Sequence, residues 1–101
     1  MITGIVFIQA KPNHRDAVLE EYKAVVPEVL KERGCLEYCP LTDGDYGPPQ
    51  SFLGEDTFAI MEKWETKEDF EAHVTSKHML ACRSRIAELV VDRTLYFLFP
   101  A

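Results

Sequence analysis

Basic residues are in the minority: 11 lysines and arginines stand against 17 aspartates and glutamates, for a net charge of −6. A protein that holds a phosphate backbone needs a basic stripe to release counterions, and this chain has none, so nucleic acid is excluded as a partner. Cysteine is scarce as well. Cys35, Cys39 and Cys82 are three in number, scattered, and form no C-x-x-C pair. That pattern reads as a reduced, cytoplasmic protein whose cysteines serve as small buried hydrophobes. No apolar run approaches the ~20 residues that span a bilayer, so no membrane is expected. The opening stretch Met1-Ile2-Thr3-Gly4-Ile5-Val6-Phe7-Ile8 lacks a basic n-region and a small-residue cleavage site, and reads as a strand. Glycine-rich phosphate loops and the G-x-S-x-G elbow are absent too, which leaves flavin and nicotinamide binding without support.

What is present suits one domain over residues 1–101. Hydrophobic residues make up 47% of the chain, enough for a core without staples. Ile2 to Ala10 is rich in β-branched and aromatic residues and ends at Lys11-Pro12. Both parities of this strand are apolar, with Ile2, Val6 and Ile8 on one face and Ile5 and Phe7 on the other. Asn13 is the expected N-cap of a helix whose stripe runs Val18, Leu19, Tyr22, Val25, Val26, Val29 and Leu30. Pro27 lies inside it, and Gly34 is the expected stop. Cys35 to Leu41 and Thr57 to Glu65 read as the second and third strands, separated by a turn-rich segment. Thr66 and Ser76 are expected to cap two short helices, the second with Met79, Cys82, Ile86 and Leu89 as its stripe. Val90 to Phe99 reads as a fourth strand, again apolar on both parities. The order β-α-β-β-α(α)-β is the ferredoxin-like split βαβ arrangement of an α+β protein. Helices cover one face of such a sheet; the other would be an exposed apolar patch unless a second copy covers it, so a homodimer is expected.

Chemistry concentrates between Phe58 and His78. Phe58, Ile60, Glu62 and Trp64 share one parity of the third strand. Phe70, His73 and Val74 share one helical face, and His78 begins the next helix. A tryptophan, a histidine and a glutamate converging between sheet and helices would make an apolar pocket with few polar groups, the form of a small-molecule site. Each residue also has a plain reading: Trp64 as a core aromatic, His73 as a hydrogen-bonded structural residue, His78 as a surface residue, Glu62 as half of an ion pair. Tyr38 either lines the pocket or covers the helices. His78 and Cys82 stand four apart on one helix, but no third ligand has suitable spacing, so no metal is assigned.

The segment Glu62-Lys63-Trp64-Glu65-Thr66, through His73 to Ser76-Lys77-His78-Met79, resembles the E-x-W pattern and spaced histidines of the antibiotic biosynthesis monooxygenase family. The Lys11-Pro12 strand end, Val26-Pro27-x-x-Leu30 and Gly34-Cys35-x-x-Tyr38 extend the resemblance over nearly the whole chain, which is most similar to the bacterial quinol monooxygenase subgroup. The resemblance implies a dimeric α+β barrel with a pocket in each subunit and, in the oxygenases, no metal, flavin or haem. It implies His73, His78 and Trp64 as catalytic residues, with Trp64 stacked on the substrate ring. Tyr38, Glu62, Phe58, Ile60 and Phe70 would then bind the substrate, Tyr38 by donating to a developing oxyanion. Haem-degrading relatives carry an asparagine on the first strand; Thr3 and Gln9 stand here instead. The isomerase relatives have an inward-facing histidine on the first helix, whereas His14 lies at its very start.

The expected function is therefore cofactor-independent monooxygenation of a small aromatic substrate, a hydroquinone or polycyclic phenol, with dioxygen. A small-molecule isomerase on the same scaffold and a non-catalytic ligand-binding or stress-response dimer are the alternatives. Oxygen uptake separates the first from both, and stabilisation by ligand without turnover would mark the last.

Overall fold

The computed structural model describes residues 1–101. Its elements run β1 (Ile2–Ala10), α1 (Arg15–Leu30), β2 (Cys35–Leu41), β3 (Thr57–Trp64), α2 (Lys67–Val74), α3 (Lys77–Ile86) and β4 (Val90–Leu98). The four strands form one antiparallel sheet in the order β2-β3-β1-β4. This is the ferredoxin-like α+β fold, with every element of the expected order in place.

Register decides which side chains can meet. β1 sets Ile2 opposite Trp64, Gly4 opposite Glu62, Val6 opposite Ile60 and Ile8 opposite Phe58. Directly opposed residues share a face, so this parity carries the E-x-W segment toward the helices. β2 adds Tyr38 opposite Glu62, and β4 adds Arg93, Leu95 and Phe97 opposite Ile8, Val6 and Gly4. A Cβ at Gly4 would lie 3.0 Å from the Glu62 Cγ, so glycine there makes room for that side chain. The core joins Ile8, Phe58, Ile60 and Trp64 to Val18, Tyr22, Val25 and Val29 of α1 and to Met79, Cys82 and Ile86 of α3. Leu30, expected on the α1 stripe, is half exposed at its last position.

The other face of the sheet carries Ile5 and Phe7 opposite Met61 and Ala59 of β3 and opposite Tyr96 and Thr94 of β4. Phe7 and Tyr96 meet edge to face at 6.0 Å, and Tyr96 and Leu98 are about half exposed. No helix covers this apolar surface.

Local signals at the helix ends hold in part. Thr66 caps α2, its Oγ1 accepting from the Asp69 N–H at 3.1 Å. Asn13 is not the cap of α1: it sits at φ 68°, a region its short polar side chain tolerates, and His14 takes the cap position without a side-chain bond. Ser76 precedes α3 but turns its hydroxyl back to donate to the His73 carbonyl at 2.8 Å. Gly34 does close the turn after α1 at φ 76°, where any Cβ would collide with the Asp69 carboxylate. Cys82 is buried, Cys35 half-buried and Cys39 exposed, so the expectation of buried cysteines fails at Cys39, which points outward on edge strand β2. Between β2 and β3 the chain is irregular, pinned by the Asp43 carboxylate, which accepts from the Leu53 and Gly54 N–H groups at 2.8 and 2.9 Å. No helix is long and apolar enough to cross a membrane.

Candidate functional site

A cavity of about 290 Å³ opens between the sheet and the helices. Its floor is Val6, Ile8, Ile60 and Leu95; Tyr38 and Glu62 stand at one end, and α2 and α3 roof it with Phe70, His73, Val74 and Met79. The strand alternation that buries the core also delivers Glu62 and Tyr38 side by side, because they are register partners on β3 and β2. Four residues expected to bind substrate, Tyr38, Glu62, Ile60 and Phe70, line the cavity, as does His73.

Three expected site residues do not line it. Trp64 is fully buried behind Glu62 and His73, so it cannot stack on a ligand ring as the resemblance implied. It sits at the end of β3, where its bulk fills the gap beneath α2, with its ring 4.8 Å from His73 and 6.4 Å from Phe70. Its Nε1–H donates to the Glu62 Oε1 at 2.8 Å. Phe58 is a core residue, packed edge to face on Tyr22 at 5.7 Å. His78 lies behind His73, away from the cavity wall.

The residue that sequence reasoning missed is Glu32. From the turn between α1 and β2 its Oε2 accepts from the His73 Nδ1 at 2.7 Å and from the His78 Nε2 at 2.9 Å. It stands 41 and 46 positions from the two histidines, and a turn residue carries no periodicity, so nothing in the sequence announced it. A carboxylate acceptor requires the proton of neutral His73 on Nδ1, which leaves Nε2 with its lone pair as the potential base. Glu32, His73 and His78 are also donor types that could hold a metal, with ligand atoms within 4.8 Å of one another. Here one carboxylate oxygen accepts from both rings and joins the three side chains by hydrogen bonds.

The electrostatics follow from burial. Desolvation raises the Glu62 carboxyl above the usual carboxylate range, opposed by the Trp64 N–H and by the His73 charge. Tyr38 is pushed up strongly, first by burial and then by Glu62, so its hydroxyl stays protonated and able to donate. Burial lifts the Cys35 thiol to about 11, with Glu32 and Glu62 adding to the effect, which makes it a poor nucleophile at neutral pH. The site thus offers an oriented imidazole, a phenol donor and a carboxyl biased toward its neutral form, all facing apolar surface.

The fold recurs in other proteins. The chain is 34% identical to the "Probable quinol monooxygenase YgiN" of Escherichia coli, over 99% of this chain and 98% of that protein. A crystal structure from Pseudomonas aeruginosa superposes with a TM-score of 0.84 at 25% identity, covering 99% of this chain and 93% of that one. A structure from Nitrosomonas europaea shares the fold, with a TM-score of 0.84 at 21% identity over 99% of this chain and 98% of its own. The profile of the antibiotic biosynthesis monooxygenase family matches residues 1–85, and the chain belongs to that family.

Proposed function

We propose that the cavity binds a hydroquinone or polycyclic phenol and that the protein oxidises it with dioxygen, without a cofactor. The observation that carries this reading is an imidazole that lines an apolar, aromatic cavity and is oriented from behind by the half-buried Glu32 carboxylate. Dioxygen is a triplet and reacts slowly with closed-shell molecules, but a phenolate can pass it one electron. His73 takes the phenol proton at Nε2, with Glu32 holding the ring in that tautomer and stabilising the imidazolium formed. Radical recombination forms a carbon–oxygen bond on the substrate ring. Loss of the hydrogen from that ring carbon cleaves the O–O bond, leaving one oxygen on the ring as a quinone carbonyl and releasing the other as water, whose two hydrogens are that ring hydrogen and the proton His73 returns. The substrate supplies all the electrons, so no other reductant enters. Tyr38 donates to the oxyanion, and Phe70 and Ile60 hold the ring. His78 and Trp64 act through His73 and Glu62 and need not touch the substrate.

In the same reading residues 1–101 form a single domain that works as a cytoplasmic homodimer. The uncovered apolar face, with Ile5, Phe7, Tyr96 and Leu98, is the surface a second copy would bury. The test is oxygen uptake with a simple hydroquinone against His73→Ala and protein-free controls. Because Glu62 and His73 are two proton-transfer groups in one cavity, isomerisation is the second reading. Substrate conversion without oxygen uptake would put it first.

A further inference from the structure

The chain has five arginines. Arg15, Arg33 and Arg85 each pair with a carboxylate, at 3.2, 3.9 and 2.7 Å. Arg83 and Arg93 have no carboxylate partner, and these two line the cavity. In a chain with 17 acidic residues that arrangement is selective. The only carboxylate on the cavity wall is Glu62, and it lies at the other end: Glu62 is in register with Gly4 of β1, whereas Arg93 is in register with Ile8. Four residues of strand separate the two positions, about 13 Å at about 3.3 Å per residue.

The cationic end is built rather than incidental. An Arg93 Nη2–H donates to the Tyr22 hydroxyl at 2.9 Å, which uses one of its donors and leaves the rest of the guanidinium fork free. Tyr22 is itself buried at 3% exposure. Burial raises its ionisation, with Arg93 opposing, so it keeps its hydrogen. Since the Tyr22 oxygen accepts from Arg93, its own hydrogen is available to a cavity ligand. Arg83 donates to the Val74 carbonyl at the end of α2, which holds a second cation over the same opening. A guanidinium fork beside a phenol donor is the geometry that receives a planar carboxylate.

We infer that the substrate is a two-ring phenol with an anionic substituent, a carboxylate at the end remote from the reacting hydroxyl, seated by Arg93 and Tyr22 with Arg83 beside them. The inference rests on the cavity being the substrate site. It fixes which way the substrate enters: phenol toward His73 and Glu62, acid toward Arg93.

Calorimetric titration of the protein with a hydroxynaphthoate and with its neutral methyl ester tests this without turnover. The acid is expected to bind about tenfold or more tightly than the ester, as a charge-assisted hydrogen bond implies. Arg93→Gln should bring the acid down to the ester, and Tyr22→Phe should remove part of the same preference. The far-UV circular dichroism of Arg93→Gln should match wild type, because the side chain is exposed and only its bond to Tyr22 is lost. Equal binding of acid and ester by wild type would overturn the inference, as would a preference that survives Arg93→Gln. Arg93-dependent acid binding without oxygen uptake would keep the anion seat and remove the oxygenase reading. Oxidation of the ester at the rate of the acid, with equal affinity, would do the reverse.

Discussion

Trp64→Phe isolates what the buried indole does for the site. The ring position is kept, but Glu62, 2% exposed, loses the N–H that holds its carboxylate at 2.8 Å. A hydrogen bond to a charged group is worth about 1.5–3 kcal/mol, and the smaller ring forfeits about 1 kcal/mol of burial. Destabilisation near pH 8 should therefore be about 3 kcal/mol, a large share of a total that is about 5–15 kcal/mol for most domains. The cost must depend on pH. Burial raises Glu62 in the folded state, so the stability it contributes is complete below its unfolded value, about 4.3, and is lost as pH rises through the folded value. Removing the Trp64 donor raises the folded value further and widens that loss. Near pH 3, with the carboxyl protonated in both states, only a neutral bond worth about 1 kcal/mol is missing and the total falls to about 2 kcal/mol. Trp64 is the only tryptophan, so urea unfolding should be followed by far-UV circular dichroism. In a Glu62→Gln background the increment should lose its pH dependence. An increment equal at both pH values in the Glu62 protein would refute the reasoning.

Other expectations are simpler to check. Gly34→Ala faces both a left-handed backbone at φ 76° and the Asp69 carboxylate, and should cost about 2 kcal/mol or more in urea unfolding. Iodoacetamide labelling of the chain kept monomeric by Phe7→Glu, at neutral pH and read by mass spectrometry, should modify Cys39 first, because Cys39 shares the uncovered sheet face with Met61 and Ile5. Cys35, its thiol raised to about 11, should follow slowly, and Cys82 only on unfolding. Phe7→Glu places a charge at the centre of the uncovered sheet face. Light scattering should find wild type near twice 11.6 kDa and this variant near 11.6 kDa; a wild-type monomer would remove the dimer proposal.

The strands were legible from their β-branched and aromatic content, although both parities of β1 and β4 are apolar. On β3, Phe58, Ile60, Glu62 and Trp64 share one parity, and that parity does face the helices. Helix ends were less legible. Asn13 and Ser76 are good caps by residue type, yet the chain turns through a left-handed Asn13 before α1 begins, and the Ser76 hydroxyl goes to the His73 carbonyl instead. Trp64 was misplaced because parity gives the face but not the position along the strand relative to the cavity. Glu32 could not be found from sequence at all: its role depends on a turn folding back across α2 and α3, a long-range contact that no local pattern encodes. Arg93 was passed over for a related reason, since its meaning lies in lacking the carboxylate partner that Arg15, Arg33 and Arg85 each have.

The central claim is that His73, held by Glu32, is the base of an oxygen-consuming reaction in this cavity. Its most direct measurement is the initial rate of oxygen uptake by chelator-treated protein with a hydroquinone, across pH, for wild type, His73→Ala and Glu32→Gln. Wild type should exceed the protein-free rate. His73→Ala should lose about a hundredfold, and Glu32→Gln, which keeps the imidazole but weakens its orienting bond, should lose less. Uptake by His73→Ala equal to wild type at every pH would contradict the account.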